Sequence, residues 1–345
     1  FAHSLNKKIY VTVNIIPHCD DLNNIEEYLL SLDRIHVDAI IVSSLFIIET
    51  VKKLNLNLEC HVSTQVSAVN EDYVKFYEEL GCTRVVLARE CSLNEIKMIK
   101  EHTNSELEVF IQGGLCSSYS GKCTLSNYFV CRDANRGGCA HSCRWDYKLY
   151  QNNNLISEDI FKIASKDLMG IRLVKDLIEI GVASLKVEGR MRGTYYIATV
   201  INCYRNLIDA YYNNNWTKSN LERNLKLLSR VANRESTSQY FMNEATYKDQ
   251  YYLDRMEVSN QDFLGLILDY DEKTGFATIE QRNYFKKGDK VNIFGPEKCD
   301  FDFVITDILN ENNESIEIAR HPKEILKIKV PRSVCKDSMM RIWIN

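Results

Sequence analysis

Residues 70–90, NEDYVKFYEELGCTRVVLARE, contain a helix signal followed directly by a strand signal. Acidic residues stand at the start, apolar residues recur at helical intervals, and Gly81 is a conventional helix stop. The apolar, β-branched run 84–88 comes next and predicts a buried strand. The stretch is therefore one βα repeat, the unit from which parallel sheets are built.

The same alternation extends through the first 115 residues. Amphipathic helices are predicted between strands at 10–15, 39–43, 59–63, 84–88 and 108–112. A sixth strand, 183–187, follows a helix predicted at 165–180 with Ser165 as its N-cap, and another helical pattern runs from 193 to 228. The expected fold class is α/β, a TIM-type (β/α) barrel over residues 1–235 with about six of the usual eight repeats.

The sequence pattern changes near residue 263. Short alternating runs such as FLGLILDYDEKTGFATIEQ are separated by turn signals and predict short strands. We expect a small antiparallel β-barrel domain at 263–345, joined to the first domain by a polar linker at 236–262.

Five of the twelve cysteines fall within residues 116–147, CSSYSGKCTLSNYFVCRDANRGGCAHSCRWDY. Disulfides suit small secreted scaffolds, whereas this chain has 345 residues and shows no secretory signal. In a reducing compartment, closely spaced thiolates mainly bind metal. We therefore expect a metal site here and a cytoplasmic location.

The cysteine spacing leaves two metals open. Only Cys139 and Cys143 have the short separation that zinc sites usually show twice. Cys116 and Cys123 are farther apart, and iron–sulfur clusters accept such irregular spacing when a folded loop brings the sulfurs together. A four-cysteine iron–sulfur cluster and zinc are about equally favoured, and a purely structural role for the segment is a weaker alternative.

The net charge of −4 is unevenly distributed. Residues 116–235 carry 18 Lys and Arg against 11 Asp and Glu, whereas residues 1–115 carry 10 against 17. This basic region favours phosphates or an anionic metabolite as partner, with a solvated basic face as the alternative. No apolar run approaches bilayer length, so no membrane partner is expected.

Polar residues follow each predicted strand, where barrel enzymes place their reactive groups. The candidate catalytic residues are Lys186, Glu188 and Arg190 at the sixth strand, and Lys166 and Asp167 at the start of the preceding helix. An internal ion-pair network is the alternative for the first three. No HExxH motif or nucleophile elbow occurs, so proteolysis is not expected.

Four long motifs carry a family resemblance: SYSGKCTLSNY at 118–128, RDANRGGCAHSCRWDYKLY at 132–150, SKDL at 165–168 and SLKVEGRMRGTYYIATVINCYR at 184–205. Together they resemble the U32 peptidase family. Within it the chain is most similar to the bacterial branch that hydroxylates a tRNA uridine with prephenate.

The resemblance implies a tRNA uridine 5-hydroxylase whose iron–sulfur cluster, expected to be of the 4Fe–4S type, is held by the four cysteines Cys116, Cys123, Cys139 and Cys143. Prephenate is a dicarboxylate that needs forked donors, for which Arg132, Arg136, Arg144 and Arg190 are the candidates. Cys131 has no counterpart in the family and is not expected to be a ligand.

Family and barrel closure together imply that roughly seventy N-terminal residues with two βα units are absent from this chain. An RNA-binding accessory protein with structural zinc, or a family member acting on rRNA or a quinone precursor, remains the alternative function. The sequence does not determine the oligomeric state.

Overall fold

A computed structural model of the chain describes residues 1–232, 234–242, 245–251, 262–297 and 299–343. The chain divides into two compact units, Phe1–Glu188 with Arg234–Asp254, and Gly189–Asn233 with Arg255–Asn345. This division differs from the predicted limits at 235 and 263, which remain a prediction. Part of the predicted linker, 252–261, lies outside the described residues.

The first unit is an α/β structure. Its strands are β1 (Tyr10–Val13), β2 (Ala39–Val42), β3 (Glu59–Val62), β4 (Arg84–Val86), β5 (Glu106–Gly113), β6 (Tyr150–Gln151), β7 (Asn154–Leu155), β8 (Asp167–Met169), β9 (Ser184–Val187) and β10 (Ser236–Thr237). Its α-helices are α1 (Ile25–Arg34), α2 (Leu45–Lys53), α3 (Glu71–Glu79), α4 (Leu93–His102), α5 (Leu125–Val130) and α6 (Val174–Ile180).

The main sheet of this unit is largely parallel. Strands β1 to β5 lie side by side in sequence order, and β9 is parallel to β5. Strand β2 is buried along its whole length, as expected for a strand in a sheet covered on both faces. The six predicted strands are therefore present, with ends that differ by a few residues.

The predicted helix at 165–180 is wrong in its first part. Residues 167–169 form β8, which pairs antiparallel with the end of β5 and parallel with β10. The backbone N–H of Lys166 donates to the carbonyl of Asp249, and that of Asp167 to Glu235. Because these partners come from residues 234–250, Ser165 caps no helix and α6 begins only at Val174.

The second unit contains two helices and an antiparallel sheet. The elements are α7 (Thr194–Tyr212), α8 (Lys218–Val231), β11 (Phe263–Asp271), β12 (Phe276–Gln281), β13 (Phe285–Lys286), β14 (Lys290–Phe294), β15 (Asp300–Val304), β16 (Ile308–Leu309), β17 (Ile318–Ala319), β18 (Ile325–Lys329) and β19 (Met339–Ile342). Seven strands form one sheet in the order β15-β14-β19-β11-β12-β18-β16. The predicted antiparallel C-terminal sheet is confirmed.

The helical pattern predicted from 193 to 228 is two helices. Helix α7 ends at Tyr212, and Asn214 adopts a left-handed backbone with φ 54°. Asparagine tolerates this conformation better than most residues, so the asparagine-rich turn breaks the helix. Within the described ranges, no helix combines the length and the apolar character needed to cross a bilayer.

Buried polar contacts join α7 to the antiparallel sheet. The Asp300 carboxylate accepts hydrogen bonds from the side-chain amides of Asn202 at 3.1 Å, Asn206 at 3.0 Å and Asn292 at 2.9 Å. Arg341, which is almost fully buried, donates from Nε to Asn292 at 2.8 Å. Burial raises the pKa of Asp300, but these amides and the Arg341 charge outweigh it and lower the pKa overall.

Substituting Asp300→Asn should therefore destabilise the second unit by about 2 kcal/mol at pH 7, because the amide donors lose a charged acceptor. A carboxyl with a depressed folded pKa stabilises fully above its unfolded pKa, about 4, and that contribution is lost as the pH falls through the folded pKa. Urea unfolding at pH 7 and pH 3 should show the difference from wild type shrinking at pH 3. The exposed Asp269→Asn is the control, and an equal loss there would contradict the account.

Candidate functional site

The cysteine segment lies at the carboxyl edge of the parallel sheet. Ser120 is buried, and its Oγ donates to a Glu90 carboxylate oxygen at 2.8 Å while its N–H donates to the other at 3.0 Å. Glu90 follows the end of β4. The next residue, Gly121, has φ +71°, and a Cβ there would lie 2.1 Å from the carbonyl oxygen of Gln65, just after β3. The segment is thus held against two neighbouring strand ends.

A second part of the segment contacts the end of β1. The N–H of Ile16 donates to the carbonyl of Asn135 at 3.3 Å. Arg136 Nη2 lies 2.6 Å from Asp21 Oδ1. A backbone hydrogen bond from His18 and the Arg136 guanidinium lower the pKa of Asp21. Arg136, a predicted metabolite ligand, is therefore paired within the protein.

The four predicted sulfur ligands interact electrostatically with one another. Cys116 is exposed as a residue, yet enough protein surrounds its sulfur that burial raises the pKa of the thiol. Charge at Cys123 and Cys139 raises this pKa further, and Arg89 and Arg144 oppose the rise. For Cys143, burial again raises the pKa and each of the other three thiols adds to it. These shifts place the sulfurs in one region of the segment, and they do not bring them to ligating distance.

Residue chemistry here suits a metal centre, because soft thiolates are the ligands of iron–sulfur clusters and of zinc. In the part of the chain that the structure describes, however, no three or more His, Cys, Asp or Glu side chains are spaced to hold a metal ion. The cysteine thiols are thus suitable donors for such a metal, but among the described residues they are not arranged to coordinate it. A metal centre at these cysteines stays a prediction.

Three charged side chains surround the backbone just before Cys116. A Cβ built at Gly114 would lie 3.0 Å from Arg144 Nη2 and 4.0 Å from both Asp167 Oδ1 and Glu188 Oε2. Gly113 has φ +126°, and a Cβ there would come within 2.6 Å of the Glu188 carbonyl oxygen. Only glycine allows this approach, which brings the ends of β5 and β9 together. We name Arg144, Asp167 and Glu188 the charged triad.

Arg234 completes this arrangement and was not predicted. Its Nη1 lies 3.3 Å from Asp167 Oδ1, and Asp167 is buried. In the sequence, Arg234 lies six residues beyond the predicted helical region 193–228, with no spacing that links it to Asp167. Guanidinium groups beside buried carboxylates form a polar site that can bind an anion and hold a proton.

The remaining predicted site residues are not in the triad. Lys186 Nζ lies 2.6 Å from Glu108 Oε1, inside a network in which Arg84 also contacts Glu108 at 3.3 Å. Burial raises the pKa of Glu108, but Lys186 and its hydrogen bonds lower it overall. The contacts of Lys186 are therefore those of an internal ion-pair network, which was the alternative to a catalytic role.

The last three predicted site residues, Lys166, Arg132 and Arg190, also lie outside the charged triad. Lys166 Nζ lies 3.0 Å from a Glu235 carboxylate oxygen, near Arg234 in the sequence. Arg132 is exposed on the cysteine segment. Arg190 is exposed and belongs to the second unit.

Comparison with known proteins gave consistent matches. The profile of peptidase family U32 matches residues 1–251, and that of the peptidase family U32 C-terminal domain matches residues 259–341. The tRNA hydroxylation protein P1 of Bacillus subtilis is 42% identical over 99% of this chain and 82% of its own length. The 23S rRNA 5-hydroxycytidine C2501 synthase of Escherichia coli is 36% identical over 61% of this chain and 32% of its own.

Among the solved structures that match is that of a single domain. The crystal structure of the C-terminal domain of a U32 peptidase from Geobacillus thermoleovorans is 44% identical. The match covers 25% of this chain and 97% of that domain, with a TM-score of 0.24.

Alanine at Gly113 should destabilise the protein because a Cβ would meet the Glu188 backbone. Gly137→Ala is the matched control, since Gly137 also has a positive φ, +82°, but nothing within 4 Å of its Cβ position. Thermal unfolding should show a loss of about 1–2 kcal/mol at Gly137, from backbone strain alone. The loss at Gly113 should be larger by at least about 1 kcal/mol. Equal losses would show that the close approach is not required.

Proposed function

This chain belongs to peptidase family U32, and we propose that it is an RNA-modifying enzyme that hydroxylates carbon 5 of a wobble uridine in tRNA. The Bacillus subtilis relative is a tRNA hydroxylation protein, which supports both the RNA substrate and the type of reaction. The observation that carries the proposal is the position of the cysteine segment, which is held beside the charged triad at the carboxyl edge of a parallel sheet. Reactive groups of βα proteins collect at this edge.

The proposed cofactor is an iron–sulfur cluster held by Cys116, Cys123, Cys139 and Cys143. Their common position in one segment supports a shared centre, and charge interactions among these thiols contribute to the raised pKa of Cys116 and Cys143. Electron transfer is the chemistry that such a cluster supplies when bound. Zinc at the same cysteines is the alternative cofactor, and it fits a structural role better because zinc has no redox chemistry.

Prephenate is the proposed co-substrate, and the guanidinium of Arg144 in the charged triad supports an anionic metabolite. Arg144 lies next to Gly114 and is not committed to a salt bridge in the described ranges, so its guanidinium is the favoured carboxylate donor. Arg136 is a poorer candidate because Asp21 already accepts from it. Glu188 and Asp167 are then the groups that hold or move a proton near the bound metabolite.

We also propose that the first unit is part of a (β/α) barrel and that the protein is cytoplasmic. Parallel strands in sequence order with helices between them favour a (β/α) barrel, of which the six strands β1–β5 and β9 would be part. A cytoplasmic location agrees with a tRNA substrate and with free thiols.

The proposal predicts the nucleosides of tRNA in a deletion strain. Derivatives of 5-hydroxyuridine should disappear on deletion, return with the wild-type gene, and stay absent with Cys139→Ser. Cys131→Ser is the control and should restore them, because Cys131 is not a proposed ligand. A strain that makes no prephenate should lose the same nucleosides. Liquid chromatography with mass spectrometry of digested tRNA measures them, and an unchanged profile on deletion would contradict the proposal.

Hydroxylation of ribosomal RNA is the second candidate, favoured by the match to the 23S rRNA synthase. That match covers 61% of this chain, against 99% for the tRNA hydroxylation protein. The tRNA substrate is therefore preferred. Digested 23S rRNA from the same deletion strain separates the two, because only the rRNA candidate predicts loss of a hydroxylated nucleoside there.

A further inference from the structure

Aromatic side chains are exposed on the surface of the cysteine segment. Tyr128 and Phe129 in α5 are 88% and 50% exposed, and Trp145 is 40% exposed. The ring of Phe129 lies 5.9 Å from that of Trp145 and 6.0 Å from that of Tyr147. We name Phe129, Trp145, Tyr147 and the neighbouring Tyr128 the aromatic platform; Tyr128, Phe129 and Trp145 leave much of their ring surface in water, and Tyr147 is half-buried. Such surfaces commonly mark binding sites.

The platform is fixed to the predicted sulfur ligands. Ser126 of α5 is buried, and its Oγ accepts from the N–H of Ala140 at 3.0 Å and lies 4.0 Å from Cys139 Sγ. The Tyr147 hydroxyl donates to the carbonyl of Ser142, next to Cys143, at 2.7 Å. A molecule seated on these rings would therefore lie beside the thiols.

Cations stand on both sides of α5 in the sequence. Lys122 precedes the helix and Arg132 follows it, and both are exposed. Among the described residues, neither forms a salt bridge with a carboxylate. Exposed aromatic rings next to uncompensated cations are the combination that binds single-stranded nucleic acid, through base stacking and phosphate contacts. A purely apolar partner would gain nothing from these charges.

We propose that the aromatic platform stacks unpaired nucleotides of an RNA loop, next to the base to be modified, while Lys122 and Arg132 contact their phosphates. This inference rests on the proposed function, since an enzyme acting on carbon 5 of a base needs that base outside a helical stack. It adds a recognition mode: the protein selects unpaired loop nucleotides by stacking, with little dependence on their identity.

Binding of the full chain to an unmodified anticodon stem-loop RNA tests the proposal without requiring catalysis. Tyr128→Ala and Trp145→Ala should each weaken binding roughly tenfold. Trp145→Phe should bind nearly as wild type does, because a ring is retained. Arg132→Ala should reduce the salt dependence of binding, lowering the slope of log K against log salt by about 0.7. Fluorescence anisotropy measures all of these.

The matched control is Tyr73→Ala on α3, where the ring is 45% exposed but lies outside the cysteine segment. Wild-type affinity in the platform variants, or an equal loss in Tyr73→Ala, would overturn the proposal. So would a change in the sedimentation of the RNA-free variants, which would identify the platform as a contact between protein chains. Platform-dependent RNA binding by a protein that leaves tRNA unhydroxylated would reject the proposed function alone.

Discussion

The close approach of two backbones at Gly113 is the constraint on which the site depends. A side chain at this position would collide with the carbonyl of Glu188, so only glycine lets the ends of β5 and β9 meet. The meeting places Glu188 beside Gly114, where Arg144 and Asp167 also arrive. Because Cys116 follows almost at once in the chain, the same approach sets where the cysteine segment leaves the sheet.

Charge compensation explains how two buried carboxylates of the main sheet are tolerated. Glu108, in the first half of β5, pairs with Lys186 and Arg84, and Asp167, at the carboxyl edge, pairs with Arg234. A buried carboxylate without such a partner would be strongly unfavourable. Arg144, by contrast, faces Gly114 and the thiols, and so remains suited to an incoming anion. The sheet thus uses most of its charges for its own stability and keeps few for binding.

Local signals in the sequence predict the helices and strands of the βα repeat well. Elements whose hydrogen-bond partners are distant in the sequence are not predicted in this way. Gly81 and the apolar run after it predict β4, because helix termination and strand burial are read from neighbouring residues. Residues 167–169 fail as a helix because their backbone partners come from the end of β5 and from residues 235–237. Arg234 was missed for the same reason. The end of the sixth predicted strand brought Glu188 into consideration, and the family resemblance brought Asp167 and Arg144; the structure shows that all three converge on Gly114.

The central claim is that four sulfurs of one loop share an inorganic redox centre beside the charged triad. Iron and acid-labile sulfide analysis of the full chain, purified without oxygen, tests it most directly. The account predicts that wild type and Cys131→Ser retain iron and sulfide, and that Cys116→Ser and Cys143→Ser lose them. Stoichiometric zinc without iron in the wild-type protein would contradict it.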